Sequence, residues 1–433
     1  MGKMKFTTKN IWKLSAFPAV AILIVVTMVF TNLIGNKMPI KLQAQDLMKD
    51  FKPNTIEIAA IDKNTINATA NFSINLLKQS ISKNKNTLIS PTSIYLALGM
   101  TANGAAGETL KQFEDLLGNG TLSLSDLNKS YYSLAQKLQN IDSGKMKISN
   151  SIWYRNDPTL LIKPEFLQTN ADYFSADAFK ADFTSKKTVD DINGWVKNNT
   201  DGLIDKVVDT IDSSTVMYLL NTVLFDAEWS NVYKKENVRS GDFKTVDGTN
   251  VAVDIMYSTE NSFVKDGLAQ GFIKTYKGDK FSFVGILPNE GVDLQTYVAS
   301  LDGTKFQDLI NSKVTANVSA GIPKFKYDFK VELNEPLKNL GLKDAFDDRL
   351  ADFSNMGSSS GGNIFIGNVL HKTFIQVDEL GTKAGAVTKV EIETNSAMHE
   401  DHRIILNRPF LYAIIDNETG LPIFIGTVMN PVQ

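Results

Sequence analysis

The stretch ELGTKAGAVTKVEIETNSAMHEDHR, residues 379–403, decides how the rest of the chain is read. From Thr382 onward its two parities separate. Thr382, Ala384, Ala386, Thr388, Val390 and Ile392 are small or apolar, whereas Lys383, Lys389, Glu391 and Glu393 are charged. Alternation with period two is the pattern of a strand with one buried face. Gly381, Gly385 and two alanines nevertheless make a poor strand former, and the polar run from Asn395 to Arg403 reads as an exposed loop. Such a loop is suited to become a strand, because small residues enter a closed sheet without overpacking it while the charged parity stays outside. No proline lies between Pro336 and Pro409, so no residue of the segment lacks the amide that a new ladder needs. If about a dozen residues inserted, at roughly 1 kcal/mol net per hydrogen bond the ladder would supply on the order of 10 kcal/mol. From the residues alone, an edge strand already in place is the favoured reading, and insertion is the alternative.

Composition narrows the function. The chain has 433 residues, 43% hydrophobic, with 45 basic and 48 acidic residues interspersed along it and a net charge of −3. That is an ordinary soluble balance without the basic patch of a nucleic-acid binder, so no nucleic-acid partner is expected. Cysteine is absent, which removes disulfides, thiolate nucleophiles and cysteine-based metal sites. Only His371, His399 and His402 could supply an imidazole base, a poor set of tools for a hydrolase. His399 to His402 places two imidazoles and two carboxylates side by side, but spacing so short is read as solvated polarity, and no metal or cofactor is expected.

At the N-terminus Lys3, Lys5, Lys9 and Lys13 precede a mostly apolar run over residues 15–34, and the first acidic residue is Asp46. The run has the length of a membrane-spanning helix and is followed by no clean cleavage site. Residues 1–35 are therefore read as a membrane anchor or an export signal, with the lysines retained inside and the remainder extracytoplasmic. Residues 36–62 carry no sustained period and read as a linker.

Globular structure is expected over residues 63–433 as one large domain. Ala70, Ile74, Leu77 and Ile81 fall at helical spacing, SIYLALGMTANGA is apolar all round, and GETLKQFEDLL and SLSDLNKSYYSLAQKLQNI are amphipathic. Strand patterns then dominate in MKISNSIWYR, VMYLLNTVLFDAEW, FSFVGILP, NVSAGIPKFKYDFKVEL and VLHKTFIQVDE, and the chain ends in a hairpin with an Asn-Glu-Thr-Gly turn. Helices return at VDDINGWVKNNTDG, VDLQTYVASLDGTKFQDLI and NEPLKNLGL. The mixture lacks regular alternation, which makes the fold class α+β.

Six blocks in order resemble the serpins, a family of serine protease inhibitors: NTLISPTSIYLALGMTANGAAGET, INGWVKNNTDGLIDKVV, MYLLNTVLFDAEW, IPKFKYDFKVELNEPLKNLGLKDAF, HKTFIQVDELGTKAGAVT and LNRPFLYAIIDNETGLPIFIGTVMNP. The resemblance covers about 370 residues, essentially everything after the linker. It implies three β-sheets, about nine helices and an exposed reactive loop, here about residues 379–403. It also implies a monomeric inhibitor, not an enzyme, that traps a serine or cysteine endopeptidase as a suicide substrate. A non-inhibitory serpin-fold binding or chaperone-like protein is the alternative, and bulky or charged residues on the inward hinge parity would mark it; there are none.

Carried over residue by residue, the resemblance makes Glu379, Gly381, Thr382, Ala384, Gly385, Ala386 and Thr388 the hinge, with Val387 standing where inhibitors more often have alanine. The reactive bond falls at Asn395–Ser396, counted forward from Glu379, or at Met398–His399, counted back from Arg408-Pro409. Asparagine as bait suits an asparagine-directed cysteine endopeptidase or a permissive serine protease. Ser90, Ser93, Asn221 and His371 match a polar cluster where the central sheet opens. Trp229, Lys324 and Glu379 match the top of that sheet, where insertion begins.

Overall fold

The computed structural model describes Gly2 and residues 39–212, 215–382 and 401–432. Residues 1–41 form a unit of their own, and residues 42–433 form a second one, to which everything below refers. The anchor or signal expected over residues 1–35 lies outside the described residues apart from Gly2. Among the described residues no helix is long and apolar enough to cross a membrane.

Local chemistry places the helices. Lys63–Ser80 begins where the Asp62 carboxylate accepts from the amides of Asn64 and Thr65, and Leu124–Gln139 begins at a reciprocal capping box between Ser123 and Asp126. Every residue of Pro91–Ala102 is buried, as its apolar circumference requires. Nine α-helices occur among the described residues, mixed with strands, so the fold is α+β. The run read as one helix at residues 292–310 is two, Leu294–Ser300 and Gly303–Asn311, because Asp302 caps a fresh helix on the Lys305 amide. Helix Pro164–Phe174 has no counterpart in the sequence reading; its buried face includes Asn170, whose Nδ2 donates to Phe166 O at 3.0 Å.

Seven strands make the central sheet, numbered in chain order: β1 (Gln45–Asp46), β2 (Lys145–Arg155), β3 (Asp177–Ala181), β4 (Met217–Glu228), β5 (Phe325–Glu332), β6 (Asn368–Val377) and β7 (Gly381–Thr382). Their spatial order is β1-β3-β2-β4-β7-β6-β5. A nine-stranded sheet packs elsewhere in the same unit and includes Val314–Pro323, the C-terminal hairpin Phe410–Asp416 with Pro422–Val428, and the edge strand His402–Ile405. The third sheet among the described residues is a two-stranded pairing of Leu161–Ile162 with Gly357–Ser358. The apolar run at residues 317–333 is split at Lys324, whose amide turns to Asp254 O; its halves belong to different sheets.

Residues 42–62, read as linker, are laid along the body. Asp191, on helix Lys186–Asn199, accepts from the amides of Gln43 at 2.9 Å and Ala44 at 2.7 Å. β1 then pairs with β3, Asn54 bonds to Asp172, and Leu47, Met48 and Phe51 pack against the core. The segment shows no period because its backbone partners change along it, from the Asp191 carboxylate to a two-residue ladder with β3 and then to Asp172, rather than being one repeating neighbour. Asp191→Ala is expected to lower unfolding free energy by about 1–2 kcal/mol, since hydrogen bonds to a charged acceptor are lost but water can reach exposed Gln43. Urea unfolding and protease nicking at residues 42–50 check it; no change in either would show that the segment is held by its side chains alone.

Candidate functional site

β4 is the axis of the site. On one side it pairs with β2 along Met217 to Asp226. On the other side its neighbours change along its length. At the lower end Tyr218 to Asn221 pair in parallel with Asn368 to His371 of β6. At the upper end Ala227 and Glu228 pair antiparallel with Thr382 and Gly381 of β7, and Thr382 also pairs with Val377 of β6. Between these, residues 222–226 of β4 and 372–376 of β6 have their ladders only on their outer sides, to β2 and β5. The hinge residues Gly381 and Thr382 thus already lie inside the sheet, above a seam that no strand fills among the described residues.

The closed end is polar. Ser90 donates its amide to His371 Nε2 at 3.0 Å and its hydroxyl to Ile423 O at 2.7 Å. Ser93 donates its hydroxyl to Asn221 Oδ1. Asn221 Nδ2 in turn donates to Ser93 O at 3.1 Å and to Asn150 Oδ1 at 2.6 Å. The four residues picked out in the sequence are therefore brought together, and Asn150 joins them from β2, directly opposite Asn221. Only its place inside the strand pattern MKISNSIWYR could have signalled it, since a polar residue in a strand reads first as solvent-facing. Burial pushes the pKa of His371 down to about 3, so it stands as a neutral acceptor for Ser90. Its Nδ1 meets no hydrogen-bond partner among the described residues.

The open end is aromatic. Trp229 stacks on Tyr276 at 4.5 Å and 12°, and Tyr276 Oη lies 2.5 Å from Thr382 Oγ1. Trp229 donates its amide to Leu380 O and its indole Nε1 to Asp378 O, each at 2.9 Å. Lys324 Nζ meets Glu379 Oε1 at 2.9 Å, with side chains 33% and 35% exposed. Burial opposes the Glu379 charge, but bonds from its own amide and from Lys324 outweigh it, and its pKa lies below the usual glutamate value. A pair so exposed contributes less than about 1 kcal/mol. Gly381 is required, because a Cβ there would come within 2.1 Å of Ala227 O.

Ala384, Gly385, Ala386, Thr388 and both reactive-bond choices, Asn395–Ser396 and Met398–His399, lie outside the described residues. The chain is described again from Asp401, and His402 opens an edge strand stacked on Phe263 at 3.8 Å. Among the described residues no three potential metal ligands gather.

The seven-stranded sheet entered at its centre by Gly381–Thr382, beside the nine-stranded sheet and the helices, is an α+β fold that can be set against known proteins. Residues 67–431 match the family model described as serpin, serine protease inhibitor. Human neuroserpin is 29% identical over 384 residues, covering 84% of this chain and 91% of that one. The native-state structure of tengpin, a thermophilic serpin, superposes with a TM-score of 0.86 at 49% identity, over 90% of this chain and all of that one. Tengpin in its latent state gives a TM-score of 0.76 at 46% identity, over 86% of this chain and 99% of that one. The chain belongs to the serpin family, whose members are typically protease inhibitors rather than catalysts.

Because folded His371 stays neutral down to about pH 3 and the unfolded imidazole protonates near 6.5, the unfolded chain binds more protons in between. Its contribution is complete above about pH 6.5 and is lost at about 1.4 kcal/mol per pH unit as pH falls. His371→Gln should flatten that part of the stability profile, as read by urea unfolding on either side of about pH 6.5. An unchanged slope in the variant would place the proton uptake elsewhere.

Proposed function

We propose that the chain is an extracytoplasmic inhibitor that traps a serine or cysteine endopeptidase as an acyl-enzyme and disables it by inserting its loop into the central sheet. One observation carries the reading: β7 occupies the top of the β4–β6 seam, and no strand among the described residues pairs with the edges beneath it. Continuing the antiparallel register of Gly381 with Glu228 and Thr382 with Ala227 would set Ala384 opposite Phe225, Ala386 opposite Val223 and Thr388 opposite Asn221. These β4 residues share a face with Ala227, and Phe225, Val223 and Ala227 belong to one apolar core. The small parity read in the sequence is thus the parity that would face the core, while Lys383 and Lys389 would face away. Lys383 to Val387 would fill the open part of the seam; Thr388 would need the pairing of Asn221 with His371 to part.

In the trapping step the protease nucleophile attacks the carbonyl carbon of Asn395. The bond to the Ser396 nitrogen breaks, that nitrogen leaves as a protonated amine, and the acyl bond tethers the protease to the hinge. Insertion then competes with water for the acyl group. Met398–His399 is the second choice for the bond. Export rests on the sequence alone, on the lysines before the apolar run at residues 15–34.

Incubation with a panel of serine and cysteine proteases, including an asparagine-directed one, should give an SDS-resistant complex and a new N-terminus at Ser396. Loop cleavage that yields no complex and no gain in thermal resistance would instead mark a display or binding protein. Thr382 is 2% exposed, so Thr382→Arg should raise the inhibitor consumed per complex by about tenfold or more, because burying an unpaired charge costs several kcal/mol. Cleavage at the same bond should persist, and gel densitometry of complex against cleaved product reads the ratio.

A further inference from the structure

We propose that Lys274, acting through Glu260, is the positioning residue for the root of the loop. The consequence rests on the inhibitory reading above; the placement of the root does not.

Strand Ala269–Thr275 buries Phe272 and Lys274 on one parity, so a lysine occupies a core position. Its Nζ meets Glu260 Oε1 at 2.8 Å, with the two side chains 3% and 12% exposed. Nζ also lies 4.6 Å from the ring centre of Tyr233 and 5.5 Å from that of Trp229, both within reach of cation–π attraction. Ser258 Oγ donates to Glu260 Oε1 at 2.6 Å, and Tyr233 Oη lies 3.3 Å from Ser258 Oγ. One cation therefore holds two rings, and one carboxylate holds the cation and the Ser258 hydroxyl beside the Tyr233 ring.

Those two ring-bearing residues grip the turn between β6 and β7. Trp229 donates to Leu380 O and to Asp378 O, and Tyr233 donates its amide to Glu379 O at 2.9 Å. Three successive carbonyls of the turn are thus fixed by residues that Lys274 holds in place. A buried ion pair gives little net stability over apolar residues of the same volume, but it defines position sharply. The surface pair Lys324–Glu379 cannot do the same, being a third exposed on each side. The turn is the pivot from which the loop would swing into the seam, and a displaced pivot delays insertion while water continues to attack the acyl bond.

The test compares Lys274→Met, the double variant Lys274→Met with Glu260→Gln, which leaves no buried charge and so guards against misfolding, and Lys274→Arg. Amide hydrogen exchange at Trp229 and Tyr233 should rise about tenfold or more in the first two, the equivalent of losing one such interaction. Exchange at Leu411, in the far hairpin strand Phe410–Asp416, should stay as in the unaltered protein. The inhibitor consumed per trapped protease should rise severalfold with the rate of loop cleavage unchanged, and Lys274→Arg should restore both readouts. Unchanged exchange in the folded double variant overturns the proposal, as does lost protection with an unchanged trapping ratio. Should the unaltered protein trap no protease, the inhibitory reading fails, and exchange at Trp229 and Tyr233 alone decides whether Lys274 positions the root.

Discussion

The seam between β4 and β6 is closed by a short parallel ladder, Tyr218 to Asn221 with Asn368 to His371, and the rest of the site follows from how the polar side chains at its upper end are satisfied. Buried amides are costly unless satisfied, and Asn221 is satisfied by Ser93 and Asn150 rather than by the strand it must release. His371 stands beside it on β6 but takes its bond from Ser90. Each strand at the closed end is thus tied to its surroundings more than to the other. Separating them breaks a short parallel ladder and leaves the side-chain bonds of both clusters intact. A closure built from an Asn221–His371 hydrogen bond would have exposed two buried polar groups on opening.

On the inhibitory reading the sheet accepts a strand at its centre, and such a sheet must refuse strands at its edges. One edge ends in β1, a two-residue strand tied down by the segment bound to Asp191. The other is β5, whose Lys326, Asp328 and Lys330 are exposed on one parity. Short strands and alternating charge are the usual protections of an open edge. The seam under β7 is the place where a strand with one small-residue parity fits, because Val223, Phe225 and Ala227 of β4 and Thr373, Ile375 and Val377 of β6 are buried on its walls.

The fold class and the ordered blocks were legible because helical and strand periods are carried by apolar residues, and apolar residues make up the two large cores. The cluster of Ser90, Ser93, Asn221 and His371 and the pair Lys324–Glu379 were legible through resemblance, not through period. Three features escaped for physical reasons. Residues 42–62 are held by Asp191 and Asp172, single acceptors that leave no repeating trace in the segment they bind. The break at Lys324 follows a change of sheet that an apolar run cannot announce. Lys274 reads as an exposed residue in any alternation count, and only the convergence of Glu260, Trp229 and Tyr233 from distant parts of the chain shows it buried.

On the inhibitory reading, the order of residues in the loop also sets the order in which energy is released. The first five residues below Thr382 are lysine, alanine, glycine, alanine and valine, so filling the open seam gains backbone hydrogen bonds but little apolar burial. Val390 and Ile392, the large apolar residues of the inward parity, fall in register opposite Leu219 and Met217, below Asn221. Their burial, about 1.5–3 kcal/mol each, becomes available only after the closed end has parted. An uncut loop is tethered at both ends, by β7 above and by the edge strand His402–Ile405 beyond it, and would have to peel that edge strand away to bring those residues so far down the sheet. Cutting frees one end. The barrier at Asn221 and the reward beyond it are thus separated by the bond the protease breaks, which is why a strand-coded segment can be displayed as a loop at all.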